Sequence, residues 1–153
     1  TVSSGPSSTT STAIVVSMKA AAVDAWRSNH WTASELSDPL ISGLEADPDA
    51  DGLENVLEYV LDLNPKSVTP DTPGTFGPDP VESQYLLYTV PLNIAATDYT
   101  VRFQRSSDLA AGVWTTIDEA DPSNLVTRTP TQLSLKIPHT EARTFIRLIS
   151  TVR

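Results

Sequence analysis

The sequence predicts an α+β fold in which a short helical N-terminal segment is followed by a small antiparallel β-sandwich. Before Asn64 the apolar residues recur at the spacing of helices, whereas beyond Pro80 they alternate with polar residues at the spacing of strands. Between these two halves, proline and glycine recur in a pattern that ends regular structure. We therefore divide the chain into an arm (1–16), a helical subdomain (17–65), a connection (66–80) and a sandwich (81–153).

The arm begins with twelve residues of which nine are serine or threonine and one is apolar. Such a composition buries too little apolar surface to offset the entropy lost on ordering, and it predicts a flexible segment. The apolar run Ala13 to Val16 that follows predicts a short strand. This run either pairs within its own chain or, as an alternative, completes the sheet edge of a neighbouring subunit in an extracellular fibre.

Two helices are predicted before residue 40. Ser17 is a suitable N-cap for a helix that runs to about Asn29. The pattern Thr32-Ala-Ser-Glu35 is a capping box, which predicts a second, short helix that starts at Ala33 and stops near Ser37. The stop is expected because an Asp-Pro pair follows, and proline disfavours the helical conformation of the residue before it.

Residues 47–58 read Asp-Pro-Asp-Ala-Asp-Gly-Leu-Glu-Asn-Val-Leu-Glu, which matches a twelve-position calcium loop. A glycine stands at position 6, where the chain must turn sharply, and an acidic residue closes the loop at position 12. Oxygen ligands are predicted at positions 1, 3, 5, 7, 9 and 12, which are Asp47, Asp49, Asp51, the backbone carbonyl of Leu53, Asn55 and Glu58.

The charge around this loop supports the same interpretation. Residues 45–62 contain seven acidic residues and no lysine or arginine, so the loop carboxylates repel one another unless a cation lies between them. Downstream, Leu53 to Leu61 follow helical periodicity up to Asn64 and Pro65. Upstream, Pro39 and Gly43 interrupt the segment that would supply the first helix of an EF-hand. The sequence therefore predicts a single EF-hand-like calcium loop followed by a helix, without the usual partner helix.

The C-terminal half predicts six short antiparallel strands. β-Branched and aromatic residues alternate with polar residues in segments separated by short polar turns. In Tyr99-Thr-Val-Arg-Phe-Gln-Arg, for example, the aromatic and aliphatic residues fall on one face. The predicted strands are 84–90, 99–105, 113–117, 125–129, 132–137 and 145–151, and their number is typical of a small sandwich.

The segment Trp31 to Pro65, with the calcium loop at its centre, resembles a module found at the C-terminal ends of large secreted bacterial proteins. Tyr99-Thr-Val-Arg-Phe-Gln-Arg-Ser-Ser-Asp-Leu, Trp114-Thr-Thr and Thr144-Phe-Ile-Arg-Leu are similar to strands of that module. The loop alone also resembles those of dockerins and thrombospondin type 3 repeats, which use repeated copies. The resemblance implies a non-catalytic accessory module that is secreted or lies on the cell surface.

Composition excludes several classes of function. The net charge of −9 argues against nucleic acid and anionic membranes, which bind clustered lysine and arginine. Without cysteine, neither disulfides nor thiolate metal sites are available, and no apolar run approaches the ~20 residues of a membrane span. The two histidines, His30 and His139, lie in no recognisable catalytic motif, and we predict that the chain is not an enzyme.

The function predicted from the sequence is a calcium-stabilised structural or attachment module. Its expected partners are a calcium ion and either a surface polysaccharide or a neighbouring protein subunit. One alternative is a carbohydrate-binding module that stacks sugars on exposed aromatic rings. The candidates are Tyr85, Tyr88, Trp31 and Trp114. Trp114 is expected in the core because it lies in an apolar strand, whereas the polar residues before Trp31 leave its exposure open.

Overall fold

The structure is a computed structural model that describes residues 21–69, 73–140 and 143–153. Its first part contains four short helices, and its second part contains seven strands with a 3-10 turn at Pro122–Asn124. The helices are Ala22–His30 (α1), Ala33–Leu36 (α2), Pro39–Ser42 (α3) and Asn55–Leu61 (α4). The strands are Thr75–Pro78 (β1), Tyr85–Pro91 (β2), Tyr99–Ser106 (β3), Thr115–Thr116 (β4), Val126–Arg128 (β5), Gln132–Pro138 (β6) and Phe145–Val152 (β7).

The strands form two antiparallel sheets that enclose one core. One sheet has four strands in the order β1-β2-β6-β5, and the other has three in the order β4-β3-β7. Inward-facing side chains of the two sheets meet across the core, where the rings of Tyr88 and Phe103 lie 5.4 Å apart. The structure thus confirms the prediction of short helices followed by a small sandwich-like pair of antiparallel sheets.

All six predicted strands are present, with ends that differ from the prediction by at most two residues. The structure also contains a strand that was not predicted. This strand, β1, forms at Thr75–Pro78, in the connection where proline and glycine predicted no regular structure. Its residues pair antiparallel with β2, Phe76 lying opposite Tyr88. Proline is tolerated there because β1 is the edge strand of its sheet and Pro78 is its last residue.

The helical predictions are confirmed in part. The capping box of α2 is present, since Thr32 accepts a hydrogen bond from the Glu35 amide and Glu35 accepts one from the Thr32 amide. Helix α1 begins at Ala22, after an extended Ala21, and therefore later than predicted. Ser17 and the predicted strand at 13–16 lie outside the described residues. No helix within the described ranges is long and apolar enough to cross a membrane.

Helix α4 connects the helical part to the sheets. Six of its seven residues are buried, and it contacts β3 and β7. The hydroxyl of Tyr59 donates a 2.6 Å hydrogen bond to Asp98, and the side-chain amide of Asn93 donates to the Tyr59 carbonyl at 2.9 Å. Asp98 also accepts from the Val23 amide at 3.0 Å, so α1 and α4 are joined at the start of β3. This packing fixes the position of the loop that precedes α4.

Candidate metal centre

The candidate metal loop follows α3, extends into the first turn of α4 and is closed by backbone hydrogen bonds. The Asn55 amide donates to the Ala46 carbonyl at 2.8 Å, and the Val56 amide donates to the Leu44 carbonyl at 2.9 Å. A one-turn helix, α3, precedes the loop where an EF-hand has a long helix, because Pro39 starts this helix and an extended Gly43 ends it. The predicted loop-then-helix order is therefore present, without a long entering helix.

Two residues of the loop adopt left-handed backbone conformations. Gly52 has a φ of 88°, as expected for the glycine at the sharp turn, and a Cβ built there would meet no atom within 4 Å. Ala50 has a φ of 60°, which is uncommon for a residue with a side chain and costs about 1 kcal/mol or more. The loop therefore holds a bend that local preference does not favour.

Three aspartates of the loop are brought together. Asp47, Asp49 and Asp51 each offer a carboxylate oxygen, and these three oxygens lie within 4.8 Å of one another. Backbone amides orient two of these side chains. Asp47 accepts from the Asp51 and Gly52 amides at 3.2 and 2.9 Å, and Asp51 accepts from the Leu53 amide at 2.8 Å. These three residues form a cluster that could hold a metal ion.

The connection to the sandwich is also tied to this cluster. The second carboxylate oxygen of Asp51 accepts a 2.7 Å hydrogen bond from the backbone amide of Thr69. This contact was not predicted, because a backbone amide leaves no sequence signal. It fixes the start of the proline-rich segment beside the loop.

Glu58 is the most unusual residue of the site. Its side chain is 0% exposed, and neither carboxylate oxygen has a hydrogen-bond partner among the described residues. Burial, together with the charges of Asp49, Asp51 and Asp47, raises the pKa of Glu58 to about 8. A buried carboxylate without a partner is strongly unfavourable in a native protein. The arrangement is explained if a cation satisfies these oxygens.

Asp49 shows the same pattern more weakly. Both of its carboxylate oxygens are buried and without a hydrogen-bond partner in the described part of the chain. Burial, followed by the neighbouring charge of Asp51, raises the pKa of Asp49 above its ordinary value. Four unpartnered oxygens on two acidic side chains thus face the same electrostatic conflict.

Asn55 has two roles in the structure. It is 0% exposed, and its side-chain nitrogen donates to the carbonyls of Ile41 and Gly43 at 2.9 and 2.7 Å. These bonds attach the end of α3 to the start of α4. The side-chain oxygen of Asn55 is buried and has no partner among the described residues, so it remains available as a ligand.

The six predicted ligands do not all lie in one cluster. The three aspartates form the cluster, whereas Asn55 and Glu58 are buried on the first turn of α4, and the Glu58 carboxylate is not among the acidic groups that lie within 4.8 Å of one another. For Leu53 the observed contacts are those of its amide, and the role of its carbonyl stays a prediction.

The residues present fit a hard divalent cation. The unpartnered buried atoms around the loop are oxygens, five in number, from Asp49, Asn55 and Glu58. Oxygen donors of this kind are preferred by Ca²⁺, which accepts six to eight of them in a flexible geometry. Carboxylates within 4.8 Å of one another repel by roughly 3 kcal/mol per pair at an effective dielectric constant of about 20. A divalent cation would convert this repulsion into attraction.

The aromatic residues predicted to stack on sugars do not form an exposed pair. Trp31 and Tyr88 are buried, being 4% and 8% exposed. The sequence left the exposure of Trp31 open, and in the structure its ring packs edge-on against Trp26. Trp114 was predicted to lie in the core, and this prediction is wrong. Its ring is half-buried and stacks with Arg147 on the face of the three-stranded sheet that points away from the core.

The fourth aromatic candidate, Tyr85, is also half-buried, and the ammonium group of Lys136 lies 5.8 Å from its ring centre. Among the described residues, neither Tyr85 nor Trp114 contacts another aromatic ring. The carbohydrate-binding alternative therefore loses its main support.

Comparison of the chain with protein-family models, with curated proteins and with solved structures finds no match. Its function is therefore inferred from its own residues.

Proposed function

We propose that residues 47–58 bind one Ca²⁺ ion in an EF-hand-like loop, and that the ion stabilises a non-catalytic structural or attachment module of a secreted or cell-surface protein. The observation that carries this proposal is the fully buried Glu58, whose two oxygens have no partner in the described residues and whose neighbours are three aspartates. A solvated acidic loop would leave this side chain in water. Asp47, Asp49, Asp51, Leu53, Asn55 and Glu58 are the proposed ligands.

The ion acts through the linkage between binding and folding. A ligand that binds only the folded state stabilises it by about 1.4 kcal/mol at tenfold excess over its dissociation constant. The proposed ligands belong both to the loop and to the first turn of α4, and α4 packs against β3 and β7. Binding at the loop therefore stabilises the junction between the helical part and the sheets.

The proposed extracellular setting determines the affinity that we expect of this loop. Extracellular calcium modules have dissociation constants on the order of 0.1 to 1 mM. A chain without cysteine is also insensitive to the redox state of its compartment. In this setting the ion would be bound outside the cell and released in a calcium-poor compartment.

Thermal unfolding with calcium and with chelator tests the proposal. In 10 mM calcium we expect the midpoint to lie roughly 3–11 °C above that in EGTA, because a tenfold to hundredfold excess of calcium stabilises the folded state by about 1.4–2.7 kcal/mol and each 1 kcal/mol shifts the midpoint by about 2–4 °C at this chain length. Titration calorimetry should give one site per chain. Equal midpoints in both buffers would exclude the metal role, and a dissociation constant below 1 µM would contradict the extracellular setting.

A further inference from the structure

A groove of about 860 Å³ opens between the two sheets on the side of β7. It lies next to the metal loop, which supplies one of its ends. Its walls are mainly apolar and include Leu53, Leu57, Phe76, Tyr88, Ile146 and Leu148. The groove therefore exposes inward-facing residues of both sheets.

The groove exists because the two sheets differ in width. The sheet that contains β1 has four strands and the opposing sheet has three, so in the described part of the chain β1 extends past β7 without a strand opposite it. Phe76 shows the result. It lies opposite Tyr88 in the β1–β2 register and therefore faces inward, yet it is 57% exposed. One more strand beside β7 would cover this side chain.

The free edge of β7 is suited to such a strand. Among the described residues, β7 pairs with β3 and forms the outer edge of its sheet. It is eight residues long and contains one charged residue, Arg147, and no proline. A long and largely apolar edge strand readily accepts another strand, because its outward backbone groups have no partners.

The start of the described chain lies at the C-terminal end of β7. The Val23 amide donates to the Asp98 side chain at 3.0 Å, and the Arg153 amide donates to the Asp98 carbonyl at 3.0 Å. The first described residue, Ala21, is thus close to the end of β7. Any segment upstream of Ala21 starts from this point.

The apolar run Ala13 to Val16 lies five to eight residues upstream of Ala21. An extended chain of this length spans roughly 16–26 Å, at about 3.3 Å per residue. Counting back the same number of residues from Arg153 along β7 leads to residues 145–148. These include Ile146 and Leu148, which line the groove.

We propose that residues 13–16 of the same chain add to the free edge of β7 as a parallel strand and fill the groove. In this register Ile14 and Val16 face inward beside Ile146 and Leu148, since side chains alternate along a strand. Val15 then faces outward. The apolar wall of the groove is matched by the one apolar run of an otherwise polar arm.

Disulfide cross-linking can test this register without competing thiols, because the chain contains no cysteine. In the proposed register Val15 lies beside the exposed Arg147, so the pair V15C/R147C should form an intramolecular disulfide under mild oxidation. The matched control pair is S3C/R147C, which places a cysteine in the same arm but outside the run. We expect at least about tenfold more monomeric cross-linked product from the first pair. Equal yields would reject the proposal, and disulfide-linked dimers would identify a second copy as the occupant.

Hydrogen exchange provides a second test that leaves β7 unchanged. The double variant I14D/V16D should raise amide exchange at residues 145–148 by about tenfold or more, because the edge bonds are lost. The control S4D/S8D adds the same charge to the polar part of the arm and should leave this exchange unchanged. All samples contain calcium, and amides of β2 and β6 report that the sandwich remains folded. Unchanged exchange in I14D/V16D would overturn the proposal.

Discussion

Replacing Glu58 with glutamine should change stability in opposite directions with and without calcium. The substitution keeps the size of the side chain and removes its charge. In EGTA we expect the variant to be more stable than the wild type, because a glutamine is buried without first having to take up a proton. In calcium we expect it to be less stable, because the proposed bidentate ligand at position 12 is lost.

The size of the calcium-free effect follows from the pKa of Glu58. Burial and the three neighbouring aspartates raise this pKa from 4.5 to about 8. An acid whose pKa rises on folding binds protons more tightly in the folded state, so stability falls as the pH rises from the unfolded pKa to the folded one. At pH 7, which is 2.5 pH units above the unfolded pKa of 4.5, burial of Glu58 therefore costs about 3 kcal/mol of folding stability.

The glutamine variant should recover roughly 1–3 kcal/mol of this penalty, since its amide is still buried and must find hydrogen-bond partners. This recovery corresponds to about 2–12 °C in the unfolding midpoint. In 10 mM calcium the wild type gains its linkage stabilisation, whereas the variant should bind calcium at least about tenfold more weakly and gain correspondingly less.

The assay is thermal unfolding of both proteins at pH 7, in EGTA and in calcium. The matched control is Glu54→Gln, which makes the same chemical change at an exposed position four residues earlier. This control should keep the full calcium response. A calcium response of Glu58→Gln equal to that of the wild type, or a lower stability of this variant than of the wild type in EGTA, would refute the proposed role of Glu58.

Three further substitutions test contacts that do not require a bound metal. In EGTA, Asn55→Ala should cost about 2–4 kcal/mol in urea unfolding, because it removes two hydrogen bonds and leaves two carbonyls unpartnered, whereas Asn124→Ala, which removes one exposed bond, should cost less than 1. Burial acts to raise the pKa of Asp98, but hydrogen bonds from a tyrosine hydroxyl and backbone amides hold this pKa below its ordinary value of 3.8, so the bonds stabilise the fold above pH 3.8 and this contribution is lost as the pH falls through the folded pKa. Asp98→Asn should therefore be less stable at pH 7 and lose less stability between pH 5 and pH 2 in acid titrations followed by circular dichroism. Gly74→Ala should cost about 3 kcal/mol or more in urea unfolding, because the φ of Gly74 is +96° and a Cβ would overlap the Thr89 carbonyl, whereas Gly112→Ala, with a φ of +64° and open space, should cost about 1.

The local patterns of the sequence predicted those features that depend on local residues. Alternation in Tyr99–Ser106 identified β3, because one face of that strand is buried and the other is not. The spacing of acidic residues around Gly52 predicted that Asp47, Asp49 and Asp51 would meet, because a turn of this kind brings alternate residues together.

The features that sequence patterns did not settle depend on contacts between different segments of the chain. Strand β1 forms because β2 supplies its pairing partner, although the composition of the segment favours no regular structure. Trp31 is buried by Trp26 and neighbouring residues, while Trp114 stacks with Arg147, which follows it by more than thirty residues. Burial of an aromatic ring is decided by these partners, and a local pattern does not name them.

The position of Glu58 explains why the metal would matter beyond its own loop. Helix α4 has seven residues, and an isolated helix of that length is unstable in water. Its stability must come from burial, yet its first turn buries Asn55 and Glu58, while its last residues bury Tyr59, Val60 and Leu61 in the core. The same short helix thus carries the least favourably buried acidic side chain of the site and part of the apolar core. A cation at the loop would remove the cost of burying Glu58 and leave the apolar contacts of Tyr59, Val60 and Leu61 intact. Calcium bound at one end of α4 would therefore stabilise the packing of its other end against the sheets.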